Sequence, residues 1–123
     1  MPRSLEHLKQ AEHNQELLKS LDLDNSPFLD WAATIAFYAA LHYVEAWFAV
    51  QGTGMHHTKH EQRNRAMNQV DEFRPIVWPN YRTLQDRSHD ARYKCTHPSK
   101  NRVQYEILPS LDSLEKEIRR LLA

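Results

Sequence analysis

Arg82, Asp86, His89 and Tyr93 carry the most readable chemistry in this sequence. Their 4-3-4 spacing puts a guanidinium, a carboxylate, an imidazole and a phenol on one face of a helix. An arginine presents a planar fork of donors suited to phosphate, and a histidine near neutral pKa moves protons. A plainer assignment stays open, in which Arg82 pairs with Asp86 at i,i+4 and His89 is a solvated surface residue. A second group, His56, His57 and His60, lies at i, i+1 and i+4. Three imidazoles so placed could hold zinc or nickel, with His42 or Glu45 completing the site. They could equally cap or hydrogen-bond a neighbouring segment. Lys59, Arg63, Arg65 and Arg74 make a third group, either a stripe for an RNA backbone or, diluted by Glu61, Asp71 and Glu72, a solvated mixed face.

The elements that must position these groups are helical. Two glycines and six prolines in 123 residues leave little loop, which favours an all-α chain forming one domain over 1–123. The central element is FLDWAATIAFYAALHYVEAWFAV, from Phe28 to Val50, which is apolar nearly all round. Ser26 reads as its N-cap, Pro27 as its first residue and Gly52 as its stop. Asp30, His42 and Glu45 interrupt it, so a core helix is expected rather than a membrane span. His42 then needs a buried partner, for which Tyr38, Tyr81 and Tyr93 are candidates.

A first helix is expected over 4–22, with Leu5, Leu8, Leu17 or Leu18, and Leu21 inward and His7 among the residues facing water. A third should start at the capping-box pattern Thr58-x-x-Glu61 and end at Arg74-Pro75. A fourth should run over 79–95, with Tyr81, Leu84, Ser88, Ala91 and Cys95 inward. The last apolar repeat, Val103 to Leu121, contains Pro109, where the helix either kinks or restarts with Ser110 as N-cap. Short connections make this an up-and-down four- to five-helix bundle.

Sixteen basic residues balance sixteen acidic ones, so any nucleic-acid binding must come from a local patch. A single cysteine, Cys95, excludes an internal disulfide, and MPRSLEHLKQ has no apolar h-region, so a cytoplasmic location is expected. Gly52-Thr53-Gly54 lacks the lysine of a phosphate loop and reads as a turn. There is no nucleophilic Ser or Cys arrangement and no cofactor motif.

The runs HLKQAEHNQELLKSL, FLDWAATIAFYAALHYVEAWF, HHTKHEQRNRAM and YRTLQDRSHDARY together resemble the HEPN superfamily, over residues 7–93. In particular, they are similar to its small prokaryotic members with a DW…FYAALH helix and a Y…L…S…ARY helix. The resemblance implies an all-α bundle that forms a homodimer. It also implies metal-independent RNase activity of the kind found in toxins and phage defence, or nucleotide binding, or a non-catalytic scaffold with a partner such as a cognate antitoxin. The family's mark is an Arg and a later His with four to six residues between them, matched by Arg82-x6-His89 and Arg92-x4-His97. On that basis Arg82, His89, Arg92 and His97 are the candidate catalytic residues, with Arg63, Arg65, His60 and Tyr93 as substrate-binding ones. The alternatives are the histidine-rich metal site, without any other cofactor, and a docking module in which Trp47 and Trp78 are exposed anchors.

Overall fold

The computed structural model describes residues 2–51 and 57–123, and all the regular structure among them is helical. The elements are α1 (Ser4–Lys19), α2 (Leu29–Ala49), α3 (His60–Asn68), a 3₁₀ turn (Asp71–Phe73), α4 (Val77–Tyr93), α5 (Lys100–Arg102), a π turn (Val103–Ile107) and α6 (Leu108–Leu122). The result is an all-α bundle, as expected. Among the described residues no helix is long and apolar enough to cross a membrane.

The α2 helix is the hub, packed against α1, α4, α6 and the π turn. Its alanines explain how. Ala32, Ala33, Ala36, Ala39 and Ala40 are buried and put almost no side-chain bulk between helix axes. The large rings then fill the gaps. Phe37 meets Tyr81 of α4 at 5.4 Å between centroids, and Trp47 meets Phe73 at 4.8 Å. Emptying a site like that of Phe37 costs about 3–5 kcal/mol in a packed core.

Local chemistry sets the boundaries. Ser26 Oγ accepts the Phe28 N–H at 3.1 Å, but the helix starts only at Leu29, so this serine holds the turn before the helix rather than capping it. Gly52 lies outside the described residues. The third helix starts at His60 rather than Thr58 and stops at Asn68, because Val70 turns to an extended conformation before the 3₁₀ turn. The fourth starts two residues earlier than expected, since Pro79 is tolerated within a first turn. It ends at Tyr93, leaving Cys95 exposed with φ 53° instead of in the core.

Pro109 neither stops the chain's last helix nor makes Ser110 a cap. The turn Val103–Ile107 widens to i→i+5 bonding, and α6 continues from Leu108 with Pro109 in its first turn. A wide turn absorbs the missing donor and the bulk of the ring. Val103, Ile107, Leu114 and Ile118 all remain buried along this side.

The water-facing assignment of His7 is overturned. It is 3 % exposed, and its Nδ1 lies 3.0 Å from Nδ1 of His42, which is therefore the partner of His42 instead of a tyrosine. Conversely Leu5 and Leu17 are more than half exposed, since Ala11, Leu18 and His7 form the buried side of α1. The α1, α2 and α6 helices are also tied by a polar cluster. The buried Tyr43 hydroxyl donates to Gln15 and accepts from Arg119 at 3.4 Å, and Gln15 donates to Glu115 at 2.9 Å. Burial, then the Glu115 charge, push the Tyr43 phenol up to about 12, so it stays a neutral donor.

Candidate phosphate site at Arg92

Two polar constellations lie against α2. The deeper one is a buried ion-pair network. Glu45 on α2 is 1 % exposed, and its Oε1 accepts from Arg63 Nε at 2.8 Å and from His57 Nδ1 at 3.0 Å. Arg63 also donates to the His57 carbonyl at 2.7 Å. A carboxylate inside an apolar helix is costly unless it is paired and hydrogen-bonded, and here both conditions hold. The network fastens the residues just before α3, and α3 itself, onto α2.

This corrects the surface role of Arg63. At 4 % exposure, with its donors taken by Glu45 and His57, it cannot present a fork to an RNA backbone. Arg65 does remain on the surface of α3. The metal alternative changes too. His56 lies outside the described residues, and His57 is committed to Glu45. Among the described residues no group of three or more His, Cys, Asp or Glu converges as a metal site.

The outer constellation centres on Arg92, in the last turn of α4. Its guanidinium carbon stands 5.0 Å from the Tyr93 ring centroid, 5.7 Å from that of Tyr38 and 5.9 Å from that of Phe37. One terminal nitrogen donates to the Tyr38 hydroxyl at 3.2 Å, and Nε to the Ser88 carbonyl at 3.4 Å. Among the described residues no carboxylate forms an ion pair with Arg92 or Arg65, whereas each of the other eight arginines has one. A guanidinium has five N–H donors, so at least half of this fork is uncommitted and aromatic rings fix its plane. Asp30 shares a small pocket with Arg92, Trp31 and Thr34, but forms no ion pair with it.

His60 lies beside the fork. Its ring is 5.5 Å from that of Phe37, and Arg63 approaches its Nδ1 at 3.4 Å. A guanidinium can only donate, so Nδ1 accepts and the neutral ring carries its proton on Nε2. Burial, then Arg63 and Arg92, hold the His60 pKa below the ordinary histidine value. His60 is thus a neutral N–H donor at neutral pH. The inner network therefore sets the tautomer of a residue in the outer one.

The four expected catalytic residues separate. Arg82 donates to Gln85 at 2.7 Å, pairs with Asp86 at 3.7 Å and stacks on Trp78, so the plainer assignment of that arginine is the one the structure has. It stands two helical turns from His89, a rise of about 10 Å. His89 instead packs on Tyr93 at 5.0 Å, on the same side of α4 as Arg92, three residues on. His97 is exposed beyond the helix end. Arg92, Tyr93 and His89 therefore share the last turns of α4, away from Arg82, and His60 packs on the same Phe37 ring as Arg92.

The expected anchors also change. Trp47 is 9 % exposed and Trp78 is half-buried, whereas Phe28 and Trp31 are each 57 % exposed. The residues not foreseen are Tyr38, which holds Arg92, and Trp31 beside it. The face Phe28, Trp31, Ile35, Tyr38 was visible as a helical stripe, but nothing in its spacing showed that no neighbouring helix would cover it.

In fold the chain is an all-α helical bundle with a pre-set cation near one end of α4. It matches no family model, no curated protein sequence and no solved structure.

Proposed function

We propose that this chain is a HEPN-like RNA-binding protein that holds a backbone phosphate on Arg92 and cleaves the chain there without metal. The observation that carries the reading is the Arg92 fork, held by aromatic rings and lacking any carboxylate partner among the described residues. A charge kept in place by neutral groups is set up for an anion from outside, and a planar fork suits phosphate.

The reaction would be internal transfer. The 2′-hydroxyl gives up its proton and its oxygen attacks phosphorus. The 5′-oxygen then leaves and is protonated, giving a cyclic phosphate end and a 5′-hydroxyl end. Arg92 and the Nε2–H of His60 would steady the charge on the non-bridging oxygens. His89, exposed on Tyr93, is the imidazole free to shuttle protons. Of the four expected catalytic residues, Arg82, His89, Arg92 and His97, this assignment keeps Arg92 and His89.

The test is cleavage of single-stranded RNA by pure protein in excess chelator, with wild type beside Arg92→Gln, His89→Ala and His97→Ala. Loss in the first two with His97→Ala unchanged supports the reading. RNA binding lost in Arg92→Gln without any cleavage by wild type would make this a non-catalytic RNA-binding module. Equal cleavage by all four proteins would exclude Arg92 and His89.

A further inference from the structure

A groove of about 690 Å³ opens between α1 and α2. Leu17 and Leu21 form one wall, and Phe28, Trp31, Ile35 and Tyr38 form the other. Phe28, Trp31 and Leu17 are each more than half exposed, so three large apolar side chains face solvent side by side. Such a patch is costly to leave open, and its placement is specific. The ring of Tyr38 lines the groove while its hydroxyl accepts from Arg92. Trp31 and Thr34 border both the groove and the small pocket containing Arg92. The apolar trough therefore ends at the unpaired guanidinium.

We infer that the groove is a nucleobase subsite: an unpaired base of single-stranded RNA stacks on Trp31 beside Phe28 while its phosphate rests on Arg92. The inference deepens the proposed RNA binding and rests on it. An aromatic floor next to a cation is the pairing that single-stranded nucleic acid requires, because each nucleotide offers one π face and one negative charge. A fully apolar occupant would make no use of the guanidinium at the end of the trough, whose pocket Asp30 also lines without pairing with it among the described residues. Asn14 adds a hydrogen-bonding edge on the α1 side. Its carboxamide oxygen accepts from Gln10 at 3.0 Å, which leaves the amide nitrogen as the donor available to a ligand. A base with carbonyl oxygens, such as uracil, matches that donor. Base stacking also demands an unstacked strand, so duplex RNA should be refused.

The experiment compares two labelled oligomers of equal length, oligouridylate and an abasic ribose-phosphate chain, both 2′-O-methylated so that neither can be cleaved, by fluorescence anisotropy at low salt in chelator. Wild type should bind oligouridylate at least about tenfold more tightly than the abasic chain, on the scale of one stacked base. Trp31→Ala should bring oligouridylate down to the affinity of the abasic chain, while Trp31→Phe should keep most of the preference. Arg92→Gln should weaken both oligomers alike. Trp31 is exposed, so its removal leaves the core intact, and circular dichroism verifies this. Equal wild-type affinity for the two oligomers overturns the base subsite and leaves the phosphate reading standing. Binding of neither oligomer overturns both. Sedimentation gives a last arm: a wild-type dimer that Trp31→Ala converts to monomer would make the groove a self-association face and end the assignment.

Discussion

The Arg92 guanidinium donates to the Tyr38 hydroxyl at 3.2 Å while lying over the Tyr38 ring. Two helices, α4 and α2, are thereby joined by a contact that fixes a cation without neutralising it. Neutral anchoring matters because a carboxylate bonded to the fork would compete with any incoming anion, and Asp30, which lines the same pocket, forms no ion pair with it among the described residues.

Removing that anchor should loosen the fork. Tyr38→Phe keeps the ring and deletes the acceptor. RNA affinity should fall about threefold to tenfold, the net scale of one ordinary hydrogen bond. Folding stability should change by less than about 1 kcal/mol, since the site is partly solvated. Anisotropy titration and urea unfolding measure the two quantities separately, and a larger loss of stability than of affinity would make Tyr38 a structural residue.

The Glu45–Arg63 pair predicts a different pattern. Glu45→Ala leaves the Arg63 charge 4 % exposed without its carboxylate, which should cost about 3–5 kcal/mol. Glu45→Met combined with Arg63→Met should recover most of that loss, because no buried charge then remains. Urea unfolding of the single and double variants checks this. If the double variant is no more stable than the single one, desolvation is not the controlling cost.

His60 supplies a pH dependence. Its folded pKa is held below the unfolded value of about 6.5, first by burial and then by Arg63 and Arg92. The unfolded chain therefore takes up the proton first. Stability from this residue is present above about pH 6.5 and is lost as pH falls through the lower folded pKa. Two-dimensional NMR should show the His60 ring titrating below the ordinary range, with the proton on Nε2 in the neutral form. Arg92→Gln should move the midpoint upward, and an unmoved midpoint would place the two groups too far apart to share a ligand.

Tyr81 is a buried ring whose hydroxyl makes no well-formed hydrogen bond among the described residues, although it lies close enough to Arg63 and Glu45 to feel their charge and Arg63 is its nearest candidate donor. An unsatisfied buried hydroxyl is unfavourable, so Tyr81→Phe should be neutral or stabilising by up to about 1 kcal/mol. Thermal unfolding tests this. A clear destabilisation would mean that the hydroxyl is partnered in solution.

Much of the fold was legible because hydrophobic period and breakers agree. The Phe28 to Val50 stretch, the Tyr81, Leu84, Ser88 stripe and the Val103 to Leu121 repeat all became helices with buried faces. What periodicity could not show was which polar residue would be enclosed. His7 and Arg63 look like surface residues in a one-dimensional pattern. They are buried because His42 and Glu45, from another helix, meet them. The site was half legible for the same reason. Arg92, His89 and Tyr93 share a helix, so spacing brought them together, whereas Tyr38 and His60 join only through tertiary packing. Arg82 was misleading because Asp86 and Gln85, in its own next turn, satisfy it.

The most direct measurement is the salt dependence of binding of 2′-O-methylated oligouridylate, which cannot be cleaved, by wild type, Arg92→Gln and Arg82→Gln. With Arg92 on a phosphate, its replacement should weaken binding about tenfold or more and lower the log–log salt slope by about 0.7, the share of one contact on a single strand. Arg82→Gln should leave both affinity and slope unchanged. Equal losses in the two variants, or an unaltered slope in Arg92→Gln, would contradict the assignment of Arg92 as the residue that holds the phosphate.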